Sequence, residues 1–274
     1  MLRQLRSKSS SGIGTLKASL RLARLRHTAQ VVGIVAVMSG SSHGFSSQTV
    51  IAISSAFLAS IAIFFLDDAR DFESDRIIHL DRPIPEGLIT ARQAYLIGAA
   101  LMLGGTLLAS ALFPYQFAIF LALMAAATAV VFLRLPSALR ALLTASIIWA
   151  LFPFSAFPDL KTVLFGLIVA FPHVGGSITK DFLHSAGDKI QGLKPPPEWM
   201  NYVAAFAFII SGLVIWLPVL LGLVTWLYIP PILLTKIACI TLAVNVLKRN
   251  YERVYTYGRI GMLFALTAVL IEQV

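Results

Sequence analysis

Cysteine and charged residues are both scarce in this chain. Among its 274 residues there is one cysteine, and 13% of the residues are charged, whereas typical globular domains have about 25%. A lone cysteine excludes an intramolecular disulfide, and Cys239 lies in an apolar run where inert packing is expected. The shortage of charge, together with 58% hydrophobic residues, excludes an ordinary soluble domain.

Long apolar runs take up most of the chain. A bilayer core of about 30 Å is crossed by about 20 apolar residues in a helix. Runs of this kind predict an all-α integral membrane protein, a bundle of about nine transmembrane helices. The predicted spans lie at roughly 28–45, 49–66, 91–113, 115–133, 141–158, 162–179, 200–217, 225–247 and 257–272.

The positive charge is concentrated at alternate junctions between these runs. Twenty of the 22 Lys and Arg residues fall in five clusters, at 3–26, 70–92, 134–140, 180–194 and 248–259. This is the positive-inside pattern, so the charged side is interpreted as cytoplasmic. The N-terminus is then cytoplasmic and the C-terminus lies on the far side. The net charge of +9 therefore indicates contact with membrane lipids and not with nucleic acid.

The first 27 residues differ from the rest in composition. They hold seven Lys or Arg residues and no acidic residue. We interpret residues 1–27 as a basic cytoplasmic flank at the membrane surface, with a mitochondrial-type transit peptide as the alternative. Residues 28–274 are predicted to form a single transmembrane domain. The membrane is predicted to be the plasma membrane of a prokaryote, with an organelle membrane as the alternative.

Four aspartates occur within nine residues directly after the second apolar run. On a helix, Asp68, Asp71 and Asp75 sit at i, i+3 and i+7 and share one face. Asp67 adds one more carboxylate. Carboxylates about 6 Å apart repel by roughly 3 kcal/mol per pair at an effective dielectric of about 20. A cation is therefore required among them, and clustered oxygens suit Mg²⁺. The alternative is a solvated acidic loop.

A rigid turn is predicted immediately after this acidic face. The segment Arg82-Pro83-Ile84-Pro85-Glu86-Gly87 contains two prolines and a glycine, which prevent a helix from continuing. The turn could serve only to reverse the chain. It could also bring Arg76 and Arg82 over the carboxylates, where arginines are able to bind phosphate.

A second charged segment repeats the spacing of the first. Asp181, His184 and Asp188 again lie at i, i+3 and i+7, after the sixth apolar run and on the same predicted side of the membrane. The two segments are interpreted as corresponding positions of a repeated unit. The alternative is a chance recurrence of charged residues at a helix end.

These residue types suit the binding of a diphosphate at the surface of a membrane bundle. Two acidic helices can hold two or more Mg²⁺ ions that bridge the diphosphate, and basic side chains can neutralise its remaining oxygens. If the esterified group is allylic, the C–O bond can ionise, and a hydrocarbon chain belongs between membrane helices. The basic candidates are Arg70, Arg76, Arg82, Arg134, Lys180 and Lys189.

Both motifs resemble those of the UbiA superfamily of intramembrane prenyltransferases. The family's Asn-Asp-x-x-Asp-x-x-x-Asp, followed by Arg-Pro-x-x-x-Gly, reads here Asp67-Asp68-x-x-Asp71-x-x-x-Asp75 and then Arg82-Pro83 and Gly87. The family's Lys-Asp-x-x-Asp-x-x-Gly-Asp reads Lys180-Asp181-x-x-His184-x-x-Gly187-Asp188, with Gly192 as the later glycine. The resemblance covers most of the chain.

The resemblance implies a helical bundle around a central lipid-open cavity, Mg²⁺ as cofactor, an isoprenyl diphosphate donor and an aromatic or polar-lipid acceptor. Three positions depart from the family pattern. Asp67 replaces an asparagine and His184 replaces an aspartate. The Tyr-x-x-x-Lys of many members after the fourth span is not evident, and Arg134 is the residue nearest its lysine. Some proteins that resemble this superfamily cyclise the prenyl cation and need no acceptor.

The predicted function is therefore a Mg²⁺-dependent prenyltransferase. A terpene cyclase on the same scaffold, and a non-catalytic transporter or binding protein, are the alternatives. Catalysis is assigned to Asp71, Asp181 and His184. The predicted metal ligands are Asp67, Asp68, Asp71, Asp75, Asp181 and Asp188.

Overall fold

The computed structural model describes residues 18–78, 80–133, 135–190 and 195–273, and not the side chains of 26, 74, 77, 78, 184 and 186–190. Helices and their connections make up the described residues, and no strand is found among them. The α-helices, numbered here α1 to α11 in chain order, are Leu25–His43, Ser47–Arg70, Phe72–Ile78, Ala91–Ala109, Pro114–Phe132, Ser137–Ser155, Leu160–Ile190, Met200–Val214, Leu217–Leu220, Ile229–Leu247 and Tyr251–Ile271.

Every predicted apolar run overlaps one of the long helices. Seven helical segments of the described chain are long and apolar enough to cross a membrane, by length and composition. They include all of α2, α5, α6, α10 and α11, the first 24 residues of α7, and α8 together with α9. The helices α1 and α4, with 19 residues each, coincide with the other two predicted runs. The all-helical membrane class is thus confirmed.

The chain divides into two compact units. The first consists of Met1–Ala36 and Phe45–Leu133, and the second of Val37–Gly44 and Arg134–Val274. Helix α1 therefore contributes to both units. The single transmembrane domain over 28–274 stays a prediction.

In the first unit, α2 packs against α4 and α5. Local capping fixes where these helices begin, because the Ser46 side chain accepts a hydrogen bond from the Thr49 amide at the start of α2. Thr90 and Gln93 form a reciprocal capping box at the start of α4. The core is formed by apolar residues of α2 and α4 together with residues from 18–23 and the 80–90 turn: Ala18, Leu22, Ala23, Ile61, Phe65, Ala69, Ile84, Ile89 and Ala94.

The turn after the first acidic motif forms as predicted. The amide of Glu86 donates to the Arg82 carbonyl, and the amide of Leu88 donates to the Pro83 carbonyl. Gly87 has a φ of +75°, which glycine adopts without steric cost. Ile84 and Ile89 are buried in the core of the unit and hold the turn against it.

In the second unit, α7 packs against α6, α8 and α11, and α10 packs against α8 and α11. Its core includes Ile178 of α7, Ala204 and Phe208 of α8, and Leu242 and Val246 of α10. Helix α7 is 31 residues long, longer than a bilayer core requires. Its last turns therefore carry the second charged segment as a continuation of the same helix.

Candidate active site

The first acidic motif lies where α2 ends and α3 begins. Asp71 is the C-cap of α2, with φ −82° and ψ 3°. Amide to carbonyl hydrogen bonds of 2.9 Å, from Asp71 to Asp67 and from Asp75 to Asp71, continue the helical path across this junction. Asp68 and Asp75 are buried, with 5% and 4% of their surface exposed. The predicted helical spacing of the aspartates is therefore kept.

Two arginines from separate parts of the chain bind these carboxylates. Arg24 donates to Asp68 Oδ1 at 2.5 Å and lies 3.2 Å from Asp67 Oδ2. Arg82 contacts Asp75 Oδ2 at 2.5 Å and Asp68 Oδ1 at 3.4 Å. Asp68 is thus shared by both guanidinium groups. The cation that the carboxylate repulsion requires is supplied in this structure by arginine.

Arg21 holds the segment that carries Arg24 against the turn. It forms an ion pair with Glu86 at 2.8 Å and donates to the Asp81 carbonyl. Residues 18–22 are helical, and Ala18, Leu22 and Ala23 are buried in the core of the first unit. We refer to residues 18–24 as the N-terminal arm.

Burial and neighbouring charges shift the pKa of two groups in this cluster, both outside the membrane-spanning segments. Burial and the neighbouring Asp67 carboxylate raise the pKa of Asp71 from 3.8 to about 6, although Arg70 opposes the shift. Burial alone would lower the pKa of Arg24, but the Asp68 and Asp67 carboxylates outweigh it and the pKa is raised. The ionised form of Asp71 is disfavoured here, so an additional cation close to Asp71 is favoured.

The other two predicted phosphate-binding arginines of this region take different positions. Arg70 lies 3.1 Å from Asp71 Oδ1. Arg76 is exposed on α3, with its guanidinium over the Phe72 ring at 5.2 Å from the centroid. Of the two arginines predicted to cover the carboxylates, Arg82 contacts them directly, whereas Arg76 lies over an aromatic ring.

The described part of the second motif centres on Asp181. This residue is 7% exposed, and Ser137 at the start of α6 donates a hydrogen bond to its Oδ2. Arg140, one turn further along α6, lies 3.2 Å from the same oxygen. The Nε of Arg140 is buried and has no hydrogen-bond partner in the described part of the chain. A hydroxyl and a guanidinium of one helix therefore hold the carboxylate of another.

Several predicted site residues lie wholly or partly outside the described residues. Arg134 lies outside the described residues, and so do the side chains of His184, Asp188 and Lys189, although α7 includes their backbone. Lys180 is exposed. The roles predicted for these residues remain predictions.

The side chains of the first motif provide the type of ligand atom that a hard divalent cation binds. Carboxylate oxygens are the ligands that Mg²⁺ prefers, and Asp67, Asp68, Asp71 and Asp75 supply them along about two helical turns. Within the described residues, however, no three acidic, His or Cys side chains converge as a metal-binding group. Arg24 and Arg82 lie between the carboxylates instead.

Three residues at these sites were not predicted from the sequence. Arg24 was assigned to a basic membrane-surface flank, and neither Arg140 nor Ser137 was distinguished from its surroundings. The sequence signal for Arg24 is weak, because it is one of seven basic residues before the first span. Arg140 lies six residues after Arg134, which is predicted to bind diphosphate.

Comparisons with known proteins confirm the family resemblance that the motifs suggested. The model of the UbiA prenyltransferase family matches residues 29–257. No curated protein matches the chain.

Solved structures share the fold. A structure from work on digeranylgeranylglyceryl phosphate synthase in membranes has a TM-score of 0.77 at 20% identity, covering 94% of this chain and 98% of that one. An apo UbiA homolog from Aeropyrum pernix K1 has a TM-score of 0.71 at 14% identity, covering 91% and 98%. A UbiA homolog from Archaeoglobus fulgidus bound to GPP and Mg²⁺ has a TM-score of 0.61 at 15% identity, covering 92% and 99%.

Proposed function

Because the chain belongs to the UbiA prenyltransferase family, we propose that it is a Mg²⁺-dependent intramembrane prenyltransferase. In this proposal it ionises an isoprenyl diphosphate and transfers the prenyl group to an aromatic or polar-lipid acceptor. The observation that carries the proposal is the cluster of four carboxylates and three arginines at the end of an apolar helix, formed by Asp67, Asp68, Asp71, Asp75, Arg24, Arg70 and Arg82.

This combination suits a substrate with two unlike halves. The apolar residues of α2 and α4 provide a surface for a hydrocarbon chain, and the polar cluster at the end of α2 provides one for a charged head. Burial of Asp68 and Asp75 strengthens their interactions with cations, because the local dielectric is lower than in water. A soluble substrate would not require the two surfaces to adjoin.

The residues that would hold Mg²⁺ in this proposal are aspartates. They are Asp67, Asp68, Asp71 and Asp75 in the first motif, and Asp181 and Asp188 in the second. When bound, Mg²⁺ would neutralise diphosphate oxygens and so improve the diphosphate as a leaving group. Ser137 and Arg140 keep the Asp181 carboxylate in a fixed orientation, which limits the reorganisation needed when a ligand arrives.

The basic side chains would bind the phosphate oxygens left free. Arginine is suited to this role, because its planar guanidinium forms paired hydrogen bonds with phosphate. The residues assigned to diphosphate binding are Arg70, Arg76, Arg82, Arg134, Lys180 and Lys189. Arg82 binds Asp75 and Asp68 in this structure. To bind the substrate, its guanidinium would have to leave these carboxylate oxygens and contact phosphate oxygens.

In the reaction the bond between the allylic carbon and the diphosphate oxygen breaks, and its electron pair leaves with the diphosphate. The nucleophilic atom of the acceptor then forms a bond to that carbon and loses a proton. Asp71, Asp181 and His184 are assigned to catalysis, and His184 is the candidate to accept that proton. The apolar bundle keeps water from capturing the prenyl cation first.

The acceptor class and the membrane arrangement belong to the same proposal. A fold neighbour from work on digeranylgeranylglyceryl phosphate synthase supports a polar-lipid acceptor, and a neighbour bound to GPP and Mg²⁺ supports an isoprenyl diphosphate donor. We infer that α1 and α4 also cross the membrane, which gives about nine spans around a lipid-open cavity. The N-terminus is then cytoplasmic and the C-terminus lies on the far side.

Product analysis tests this function. The purified protein in nanodiscs is incubated with geranyl, farnesyl or geranylgeranyl diphosphate and Mg²⁺, with and without aromatic and polar-lipid acceptors, and with an EDTA control. We expect a prenylated acceptor that forms only when Mg²⁺ and acceptor are both present. A volatile hydrocarbon or alcohol formed without acceptor would identify a cyclase. Absence of turnover with every donor would favour a transporter or binding protein.

A further inference from the structure

The guanidinium of Arg24 lies among the first carboxylates of the Asp-rich motif. Its shortest contact, at 2.5 Å, is with Asp68, and it lies 3.2 Å from Asp67. Asp68 is buried, whereas the Arg24 side chain is 28% exposed. Asp67 and Asp68 are both proposed metal ligands, so the Arg24 guanidinium competes with a metal ion for their carboxylate oxygens.

The backbone at Arg24 is held in a conformation that arginine adopts at a cost. Its φ is +41°, in the left-handed region that costs a residue other than glycine about 1 kcal/mol or more. Such a conformation persists only where surrounding contacts impose it. The burial of Leu22 and Ala23 just before it supplies these contacts. The arm is therefore anchored in a way that directs Arg24 towards the carboxylates.

A second contact orients the Arg24 side chain. Its guanidinium carbon lies 5.1 Å from the centroid of the Phe64 ring, within the range of a cation–π interaction. Phe64 belongs to α2, one turn before Asp68. The ring and the carboxylates of one helix thus hold the same guanidinium.

Arg24 also lies upstream of the segment that matches the family model, which begins at residue 29. Its contact with Asp68 joins residues 44 positions apart in the chain. The assignment of a role to Arg24 therefore comes from the geometry of this chain.

We propose that Arg24 is a resident counter-cation, which neutralises Asp67 and Asp68 until a divalent cation replaces it. This inference rests on the proposed function only in taking these carboxylates as metal ligands. In the metal-free protein, the arginine prevents the repulsion that four neighbouring carboxylates would otherwise cause. Binding of a divalent cation to Asp67 and Asp68 displaces the guanidinium, so part of the binding energy is used to break the Arg24 contacts.

Cation binding without substrate tests this role. Mn²⁺ serves as the probe, and the loss of the free-ion signal in electron paramagnetic resonance gives its Kd for the full chain in nanodiscs. For Arg24→Gln we expect a Kd about tenfold lower than that of the unmodified protein, because no charge-assisted hydrogen bond has to be broken. A Kd that is unchanged or higher would overturn the inference.

Arg92→Gln is the control for charge. It removes one positive charge from an exposed residue at the start of α4, in the same unit, and leaves the contacts of the N-terminal arm in place. Its Kd should stay within about twofold of the original, since screened charges at longer range contribute little. An equal drop in Kd for both variants would show a general field effect and would also overturn the inference.

Phe64→Leu provides an independent variant that keeps every charge. It removes the ring that holds the guanidinium and leaves both carboxylates in place, so the Kd for Mn²⁺ should fall about threefold. A Kd unchanged in this variant and in Arg24→Gln would overturn the role of Arg24 and leave the proposed function standing. Failure of every protein to bind Mn²⁺ would overturn both.

Discussion

The two Asp-rich motifs have the same spacing in the sequence but differ in what holds their carboxylates. The first lies across the junction of α2 and α3, and its aspartates bind arginines from the N-terminal arm and from the turn. The second lies within the continuous helix α7. There Asp181 is held by Ser137 and Arg140, both from the start of α6.

This difference shows that one sequence pattern can be stabilised in two ways. The first motif concentrates more negative charge than its helix can hold alone, so its structure depends on cations contributed by distant residues. The second motif places one described carboxylate beside a neutral donor and a single arginine. Its position depends more on the packing of α7 than on ion pairs. Substitutions in the first motif should therefore act mainly through lost ion pairs, and substitutions in the second mainly through altered helix packing.

The largest effect is expected from Asp71→Asn. Asp71 has a raised pKa and is assigned to metal binding, so its loss should lower product formation by about 100-fold or more, as removal of a preorganised electrostatic group does. Initial rates with saturating Mg²⁺ measure this. Glu73→Gln is the control, because it removes the same charge from an exposed residue two positions away and should leave the rate within about twofold. Equal rates for Asp71→Asn and the original protein would end the metal assignment of this residue.

Arg82→Gln should affect stability in the first unit. It leaves the buried carboxylates of Asp75 and Asp68 without one of their partners, which costs about 1–3 kcal/mol of unfolding free energy when charged groups are involved. Thermal unfolding in detergent measures the loss. Arg76→Gln, on the exposed side of α3, should change the unfolding temperature little. If both variants unfold at the same temperature, the ion pairs of Arg82 do not stabilise the turn.

The sequence predicted the helices well because apolar runs of membrane length leave the backbone few other options. The i, i+3, i+7 spacing also predicted that Asp68, Asp71 and Asp75 share a helical path. Contacts between residues that are far apart in the sequence could not be predicted from it. Arg21 and Glu86 are 65 residues apart, and nothing local distinguishes Arg24 from the other basic residues of the arm.

The position of Arg140 shows the same limit. Arg140 lies within α6, whereas the family resemblance pointed only to Arg134, the residue nearest the family's lysine, as a diphosphate ligand. Arg140 contacts Asp181 because it lies one helical turn beyond Ser137, on the same side of α6. That relation could be seen only once the start of α6 and its packing against α7 were known.

The second motif should be sensitive to changes in helix packing. Gly175 lies in α7, six residues before Asp181, and a Cβ there would come within 2.9 Å of the Ala204 carbonyl oxygen and the Phe208 ring. Gly175→Ala should therefore push α7 from α8 and cost about 1–3 kcal/mol of unfolding free energy. Gly176→Ala is the control, since a Cβ at Gly176 meets nothing within 4 Å and alanine is the better helix former. Equal unfolding temperatures would show that α7 and α8 adjust to the added methyl group.

The smallest effect is expected from Ser137→Ala, which removes the neutral donor to Asp181 and leaves Arg140 in place. One hydrogen bond contributes about 1 kcal/mol, so kcat/KM for the isoprenyl diphosphate should fall about fivefold with little change in unfolding temperature. Ser137→Thr retains the hydroxyl and should restore most of the activity. A loss as large as that of Asp71→Asn would mean that the hydroxyl takes part in the reaction itself. No loss would mean that Arg140 alone orients Asp181, and the second motif would then depend on an arginine as the first one does.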